Sequence, residues 1–291
     1  MKQSANKGFS NIFQSPERSV IFHLFLVVVL LLSVVPAYSQ TALTGKKAEQ
    51  AVGAITKDYT NWRTAGWSAK VKAEMLPVSV TMKTYMLRDS LTLISLRAPL
   101  FGEVARIEID NCNIKVINKF KKCYHCINLS AYGSVSAEVH SNLQDILTGR
   151  VTLIDSGILS KSNYKEAGIY SFGDGNYLIT CQLPEEYGSI DYGYAVDKSS
   201  RIIEMMAVKG KPRATSAPDG MQSGLEEISA EASAQVNYSG NVADATVSVN
   251  IHRHSMTVEL TGISLETGIS GFARLDLRGY RETGLSEVMK F

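Results

Sequence analysis

Between Tyr85 and Tyr124 four short apolar runs follow one another with turn-sized gaps: Tyr85–Arg88, Leu91–Leu96, Val104–Ile109 and Ile114–Phe120. The separators Arg88-Asp89-Ser90, Arg97-Ala98-Pro99 and Asp110-Asn111-Cys112-Asn113 hold residues that bend a chain through side-chain hydrogen bonds to backbone or a fixed φ. The pattern predicts a β-meander. Alternating strands in series need one covered apolar side, so the rest of the chain is expected to supply that cover.

Before the meander, Ala48, Ala51, Val52, Ile55, Tyr59 and Trp62 recur at spacings of three and four, which predicts an amphipathic helix over Thr44–Trp62 capped by Thr44. The period then drops to two through Trp67–Ala73 and Val78–Met86, joined at Met75-Leu76-Pro77. After the meander, Val139, Leu143, Ile146 and Leu147 predict a second helix over Ser134–Arg150, capped by Ser134 or Ser136 and ended by Gly149. Strands are expected at Gly168–Phe172 and Tyr177–Cys181 around Gly173-Asp174-Gly175, at Tyr192–Val196 and at Arg201–Val208. A break follows over Lys209–Met221, and Ser223-Gly224-Leu225-Glu226 reads as a capping box opening a short helix. Four more alternating stretches, Ala234–Tyr238, Val247–Ile251, Met256–Leu260 and Ala273–Leu277, complete about eleven or twelve strands with two or three helices. The expected fold is mainly β (α+β), a continuous antiparallel sheet with helices on one face.

Composition refines this only at the N-terminus. The chain has 291 residues, 45% hydrophobic and 20% charged, within the range of globular domains. Lys2, Lys7 and Arg18 precede the apolar run Val20–Val35, and Pro36 and Ala37-Tyr38-Ser39 lead to Gln40. That order predicts a signal peptide over residues 1–39 and a mature domain over 40–291, periplasmic or secreted. The alternative is an uncleaved membrane anchor, the run being slightly shorter than the roughly 17 to 25 residues that span a bilayer. No cysteine follows the site, so lipid attachment there is not expected. Loss of residues 1–39 takes the formal charge from +2 to about zero, which leaves no overall electrostatic footprint for nucleic acid or for an anionic membrane surface.

Candidate chemistry is sparse. Cys123-Tyr124-His125-Cys126 lacks a second ligand pair at metal spacing and a helix N-terminus to activate a thiol. A disulfide from Cys112 to Cys123 or Cys126 is expected in preference to the short Cys123–Cys126 loop. His252-Arg253-His254 reads as a hairpin turn, and Asp174 as turn geometry. No metal, no cofactor and no catalytic residue is expected. The remaining candidate is the apolar face of the sheet itself: Trp67, Val71, Val80, Met82, Met86, Leu93, Ile107 and Ile109 form either a core or the lining of a ligand cavity.

The runs Met86–Leu96, Glu103–Asp110 and Lys115–Asn118 resemble an uncharacterised bacterial envelope family, domain of unknown function number four-two-nine-two, related in fold to the lipoprotein carriers LolA and LolB. The resemblance is clearest over residues 60–150 and extends to about 260. It departs in the absent lipid-attachment cysteine and around Phe272–Phe291. It implies a single incomplete β-barrel whose helices plug a hydrophobic cavity. In such carriers a basic residue of the sheet ties down the helical lid, whereas Arg106 alternates with Ile107 and Ile109 and falls on the opposite face. The expected function is a non-catalytic envelope carrier of acyl chains or lipidated proteins in outer-membrane lipoprotein trafficking, with transient membrane contact left open. The alternatives are a structural or scaffolding envelope protein with a filled core, and a metal- or thiol-dependent enzyme using His252 and His254 or the cysteines.

Overall fold

The computed structural model describes residues 40–73, 79–129, 135–154, 156–173, 175–182, 190–209, 230–251, 254–271 and 273–289. The expected signal peptide, the Ser223 capping box, Asp174, Ser134 and His252 lie outside these residues. Within the second helix the side chains of Ser136 and Val139 lie outside them too.

In chain order the elements begin with β1 (Gln40–Ala42), α1 (Gly45–Ile55), β2 (Thr64–Ala73), β3 (Val80–Leu87), β4 (Leu91–Ala98), β5 (Gly102–Ile109), β6 (Asn113–Asn118), β7 (Cys123–Asn128) and α2 (Val135–Leu147). There follow β8 (Thr152–Leu153), β9 (Gly157–Ile158), a 3-10 turn (Tyr164–Glu166), β10 (Gly168–Phe172), β11 (Asn176–Gln182), β12 (Ile190–Val196) and β13 (Ile202–Lys209). The last are β14 (Ala230–Ser239), β15 (Val242–Ile251), β16 (His254–Ile263), β17 (Glu266–Thr267), β18 (Arg281–Glu282) and α3 (Leu285–Val288).

These residues fall into two compact units, one of 61–144 with 261–289 and one of 40–60 with 145–260. In the first, β2 to β7 pair in chain order as antiparallel neighbours, the meander that the alternation predicts. The run expected at Tyr85–Arg88 is the end of β3. The run expected to reach Phe120 stops at Asn118, and Cys123–Asn128 is a strand in its own right. β18 then joins β7 in parallel, with Arg281 opposite Cys123, so the sheet is mixed.

In the second unit β1 and β10 to β15 follow in antiparallel order, and β16 is next to β15. α1 packs Ala48, Ala51, Val52 and Ile55 inward, and contacts β10 and the 3-10 turn. It is shorter than the expected Thr44–Trp62, and in its last turn the Thr56 amide and hydroxyl both donate to the Val52 carbonyl, at 2.9 and 2.8 Å. Thr44 stands at the N-cap position, but its side chain makes no capping hydrogen bond. Tyr59, just past the helix, instead accepts a hydrogen bond from the Val151 amide at 2.8 Å, and burial pushes its hydroxyl up to about 12.

The fold is mainly β with helices, as expected, but the incomplete antiparallel barrel of about eleven strands is not what forms. The described residues hold eighteen strands and three helices, one strand pair is parallel, and the strand order has open ends at β1 and β18. The Ala273–Leu277 stretch is not a strand at all. Its alternation reflects one-sided contact with the sheet, and its backbone groups bond to side chains rather than to a neighbouring strand.

Candidate functional site

Residues directly opposite one another across β2 to β7 share a face, so the register sorts the first unit's sheet into rows. On one face the first row is Ala65, Met86, Thr92, Ile109, Ile114 and Ile127. The second is Trp67, Thr84, Ile94, Ile107, Val116 and His125, and the third is Ala69, Met82, Leu96, Ala105, Asn118 and Cys123. Val71 and Val80 continue the face beyond the third row. α2 sits on the first row and defines this as the helix face. The Gln144 amide nitrogen donates to the Leu87 and Leu91 carbonyls at 3.0 and 3.1 Å and to the Thr92 hydroxyl at 3.2 Å, while Thr92 meets His140 Nε2 at 3.1 Å.

This geometry divides the eight candidate residues. Met86 and Ile109 lie in the row under α2 and are buried, Met86 completely. Val71 and Val80 are buried as well, so these four belong to the core. Trp67, Met82 and Ile107 remain half-exposed in the second and third rows, beside Leu96, which the sequence reading did not single out. Leu93 is on the other face: it is opposite Tyr85 and Glu108 and 0% exposed. Its run, Leu91-Thr92-Leu93-Ile94-Ser95-Leu96, is apolar on both sides, and only the register tells the sides apart.

In the second row two polar atoms lie in adjacent register positions without a partner. Trp67 Nε1 and the Thr84 hydroxyl are shut off from solvent and make no hydrogen bond among the described residues. Thr84 is buried at 3% exposure. An unmet buried donor costs on the order of 1–3 kcal/mol, so this pair is a weak point in the packing of the row.

The network holding α2 is sensitive to acid. His140 Nδ1 meets the Asn111 side-chain oxygen at 2.8 Å, and Nε2 faces Thr92 and Gln144, so the neutral ring fits with the proton on Nδ1. Burial, opposed in part by Asp110 and Asp89 and assisted by Arg88, holds His140 down at about 4. An unfolded histidine takes its proton near 6.5, so below that pH the unfolded chain binds a proton that the folded chain refuses. Stability is fully present above 6.5 and falls as pH drops towards 4. Urea unfolding of the first unit should show a loss of about 2 kcal/mol between pH 7 and pH 5, with that slope absent in His140→Gln. An unchanged slope in the variant would remove His140 as its source.

The opposite face is crossed by residues 268–271 and 273–275. A Cβ on Gly271 would fall inside the Tyr85 ring, so only glycine lets the segment lie this close. Arg106 grips Glu103 with both prongs, Nε to Oε1 at 2.7 Å and Nη2 to Oε2 at 2.9 Å, and donates from Nη1 to the Ala273 carbonyl at 2.7 Å. The Leu275 amide donates to Glu108 at 2.8 Å, and Arg274 pairs with Asp110 at 2.7 Å. Lys119 reaches Glu103 at 2.7 Å. Burial alone would raise Glu103, but hydrogen bonds from Arg106, Lys119 and Ser95 outweigh it and hold the carboxyl down at about 2. The basic residue of this sheet therefore ties down the C-terminal segment rather than α2. The chain then rounds β7, where Arg281 and Thr283 donate to the Lys122 and Tyr124 carbonyls at 2.9 Å each, and α3 returns to the helix face. There Asn118 donates to the Val288 carbonyl at 2.9 Å.

The expected disulfide does not form; all four cysteines are free. Cys123 and Cys126 are three apart on one strand and point to opposite faces. Cys126 is opposite Lys115, about 10 Å along the strand from Cys112, which exceeds the roughly 7 Å a bridge can close. Among the described residues no group of three His, Cys, Asp or Glu side chains is placed to hold a metal ion, and no helix is long and apolar enough to cross a membrane.

No protein-family model and no curated protein matches the chain. Among solved structures it is similar to a DUF1329 family protein from Desulfovibrio piger, with TM-score 0.43 and 12% identity over 77% of this chain and 94% of that one. It is similar to a LolA superfamily protein from Nitrosomonas europaea, with TM-score 0.37 and 10% identity over 79% and 96% of the two chains. A third likeness, to an uncharacterized conserved protein from Thermus thermophilus, has TM-score 0.29 and 8% identity over 81% and 98%. At these scores no ligand, partner or activity passes from those proteins to this chain.

Proposed function

We propose that the first unit is a non-catalytic binding module for acyl chains or lipidated proteins, acting in the cell envelope after removal of residues 1–39. The observation that carries this is the second and third rows of the helix face. Trp67, Met82, Leu96 and Ile107 form a half-covered apolar strip, and Trp67 Nε1 and the Thr84 hydroxyl stand within it without partners. A hydrocarbon chain lying on the strip gains about 0.8 kcal/mol per buried methylene. The finer assignment, to the envelope family numbered four-two-nine-two with its LolA- and LolB-like carriers, rests on the residue runs between Met86 and Asn118.

A second reading, a structural protein with a filled core, has one observation in its favour: the row under α2 is fully packed. Titration with a fluorescent fatty acid separates the two. The carrier reading expects saturable one-to-one binding that falls at least tenfold in Met82→Glu. Absence of binding by the folded wild-type protein would leave the structural reading.

A further inference from the structure

The β4–β5 and β6–β7 loops open at the same end of the sheet, since Ala98 is opposite Gly102, Ala105 opposite Asn118 and Asn118 opposite Cys123. Their tips carry Leu100, Phe101 and Phe120, which are 97%, 67% and 64% exposed, the most exposed large apolar side chains among the described residues. The Phe101 and Phe120 rings meet edge to face at 5.4 Å, so the two loops present one apolar point. The point is held in place by its own backbone. The Lys119 amide donates to the Val104 carbonyl at 2.9 Å, the Lys121 amide donates to the Asn118 side chain at 2.9 Å, and Lys122 takes a left-handed φ of 50°. A non-glycine residue in that region costs free energy that the surrounding contacts must offset.

Around the point stand Arg97, Lys121 and Lys122, all exposed. The acid between them, Glu103, is already neutralised by Arg106 and Lys119. We propose that this tip is a membrane-docking element that inserts Leu100, Phe101 and Phe120 into the headgroup region of an anionic bilayer while the basic collar meets the lipid phosphates. A single amphipathic contact of this kind gives reversible binding. A protruding apolar point is poorly matched by the flat surface of a folded protein, whereas a bilayer yields around it. The collar adds charge complementarity to lipid of one sign. The proposal goes beyond the carrier reading and stands without it, although Met82 and Leu96 of the ligand strip lie towards this same end of the sheet.

The test places a reporter at the tip of the full chain: Leu100→Trp in a Trp62→Phe, Trp67→Phe background, mixed with vesicles containing lipids brominated in the acyl chain. With one-quarter phosphatidylglycerol in phosphatidylethanolamine, the tryptophan should be quenched and blue-shifted. The effect should fall at least fivefold in pure phosphatidylcholine, in high salt, or with Lys121→Ser and Lys122→Ser added. Co-sedimentation of the otherwise wild-type chain gives a second reading, with Leu100→Ser/Phe101→Ser/Phe120→Ser, all at solvent-facing positions, expected to cut the bound fraction at least fivefold. An unquenched tip, equal quenching by neutral and anionic vesicles, or unchanged sedimentation of the triple variant would overturn the proposal. A blue shift that grows with protein concentration in the absence of vesicles would overturn it in favour of contact between two copies. None of these outcomes depends on fatty-acid binding, so the proposal and the carrier reading fail separately.

Discussion

Replacing Arg106 with Met should cost the first unit about 3–5 kcal/mol, a large share of a typical stability of roughly 5–15 kcal/mol. Arg106 is 8% exposed, Glu108 is 4% exposed and the Glu103 side chain is 9% exposed. Removing the guanidinium leaves two buried carboxylates, with only Lys119 and Ser95 to serve Glu103. It also removes the donor to the Ala273 carbonyl, loosening the segment that lies on Tyr85. Arg106→Lys keeps the charge but loses the two-pronged grip on Glu103, so it should fall between wild type and Arg106→Met. Urea unfolding reads all three proteins. A loss below about 1 kcal/mol for Arg106→Met would mean that the cluster contributes little beyond its own desolvation.

The second large effect is a contrast between two positions only a strand apart. Leu93→Glu should prevent the first unit from folding, because Leu93 is 0% exposed and its register neighbour Glu108 is itself a buried carboxylate. An unpaired buried charge beside a like charge costs several kcal/mol. Ile107→Glu, on the half-covered strip of the opposite face, should cost about 1–2 kcal/mol, the transfer free energy of a partly buried isoleucine. It should nonetheless abolish acyl binding, since the carboxylate stands where a methylene chain would lie. A folded, stable Leu93→Glu protein would show that this face of the sheet is not sealed around Leu93. An unfolded Ile107→Glu protein would place Ile107 in the core and favour the structural reading.

The contrast also shows what alternation can and cannot carry. In β2, Trp67, Ala69, Val71 and Ala73 alternate cleanly with Ser68, Lys70 and Lys72, and the predicted face is the observed one. In β4 both faces are covered, one by α2 and the other by the C-terminal segment, so apolar residues stand on both and the period dissolves. Alternation alone therefore groups Leu93 with residues from which the register separates it, and gives no sign of Leu96, opposite Met82. Phe120 looked like a strand end because it follows an apolar run, yet it stands two residues past the last paired position, where apolarity marks exposure rather than a core. The cysteines were more legible than the expected disulfide implied: once Cys123–Asn128 is read as a strand, a spacing of three already sends Cys123 and Cys126 to opposite faces. The Arg106 cluster left no local signal, because its partners Ala273 and Leu275 are distant in sequence and bond through their backbone.

An acyl chain lying against the second row of the helix face would touch Trp67. The chain has two tryptophans, Trp62 and Trp67, and only Trp67 stands in that row. In Trp62→Phe the remaining tryptophan is a contact reporter, because a bromine atom on a fatty acid quenches an indole only at close range. Titration with a chain brominated near its middle should quench Trp67 saturably at one equivalent, and the unbrominated acid should compete it away. A brominated fatty acid that binds by an independent measure and leaves Trp67 unquenched, or that does not bind at all, would contradict the assignment of this face as the ligand site.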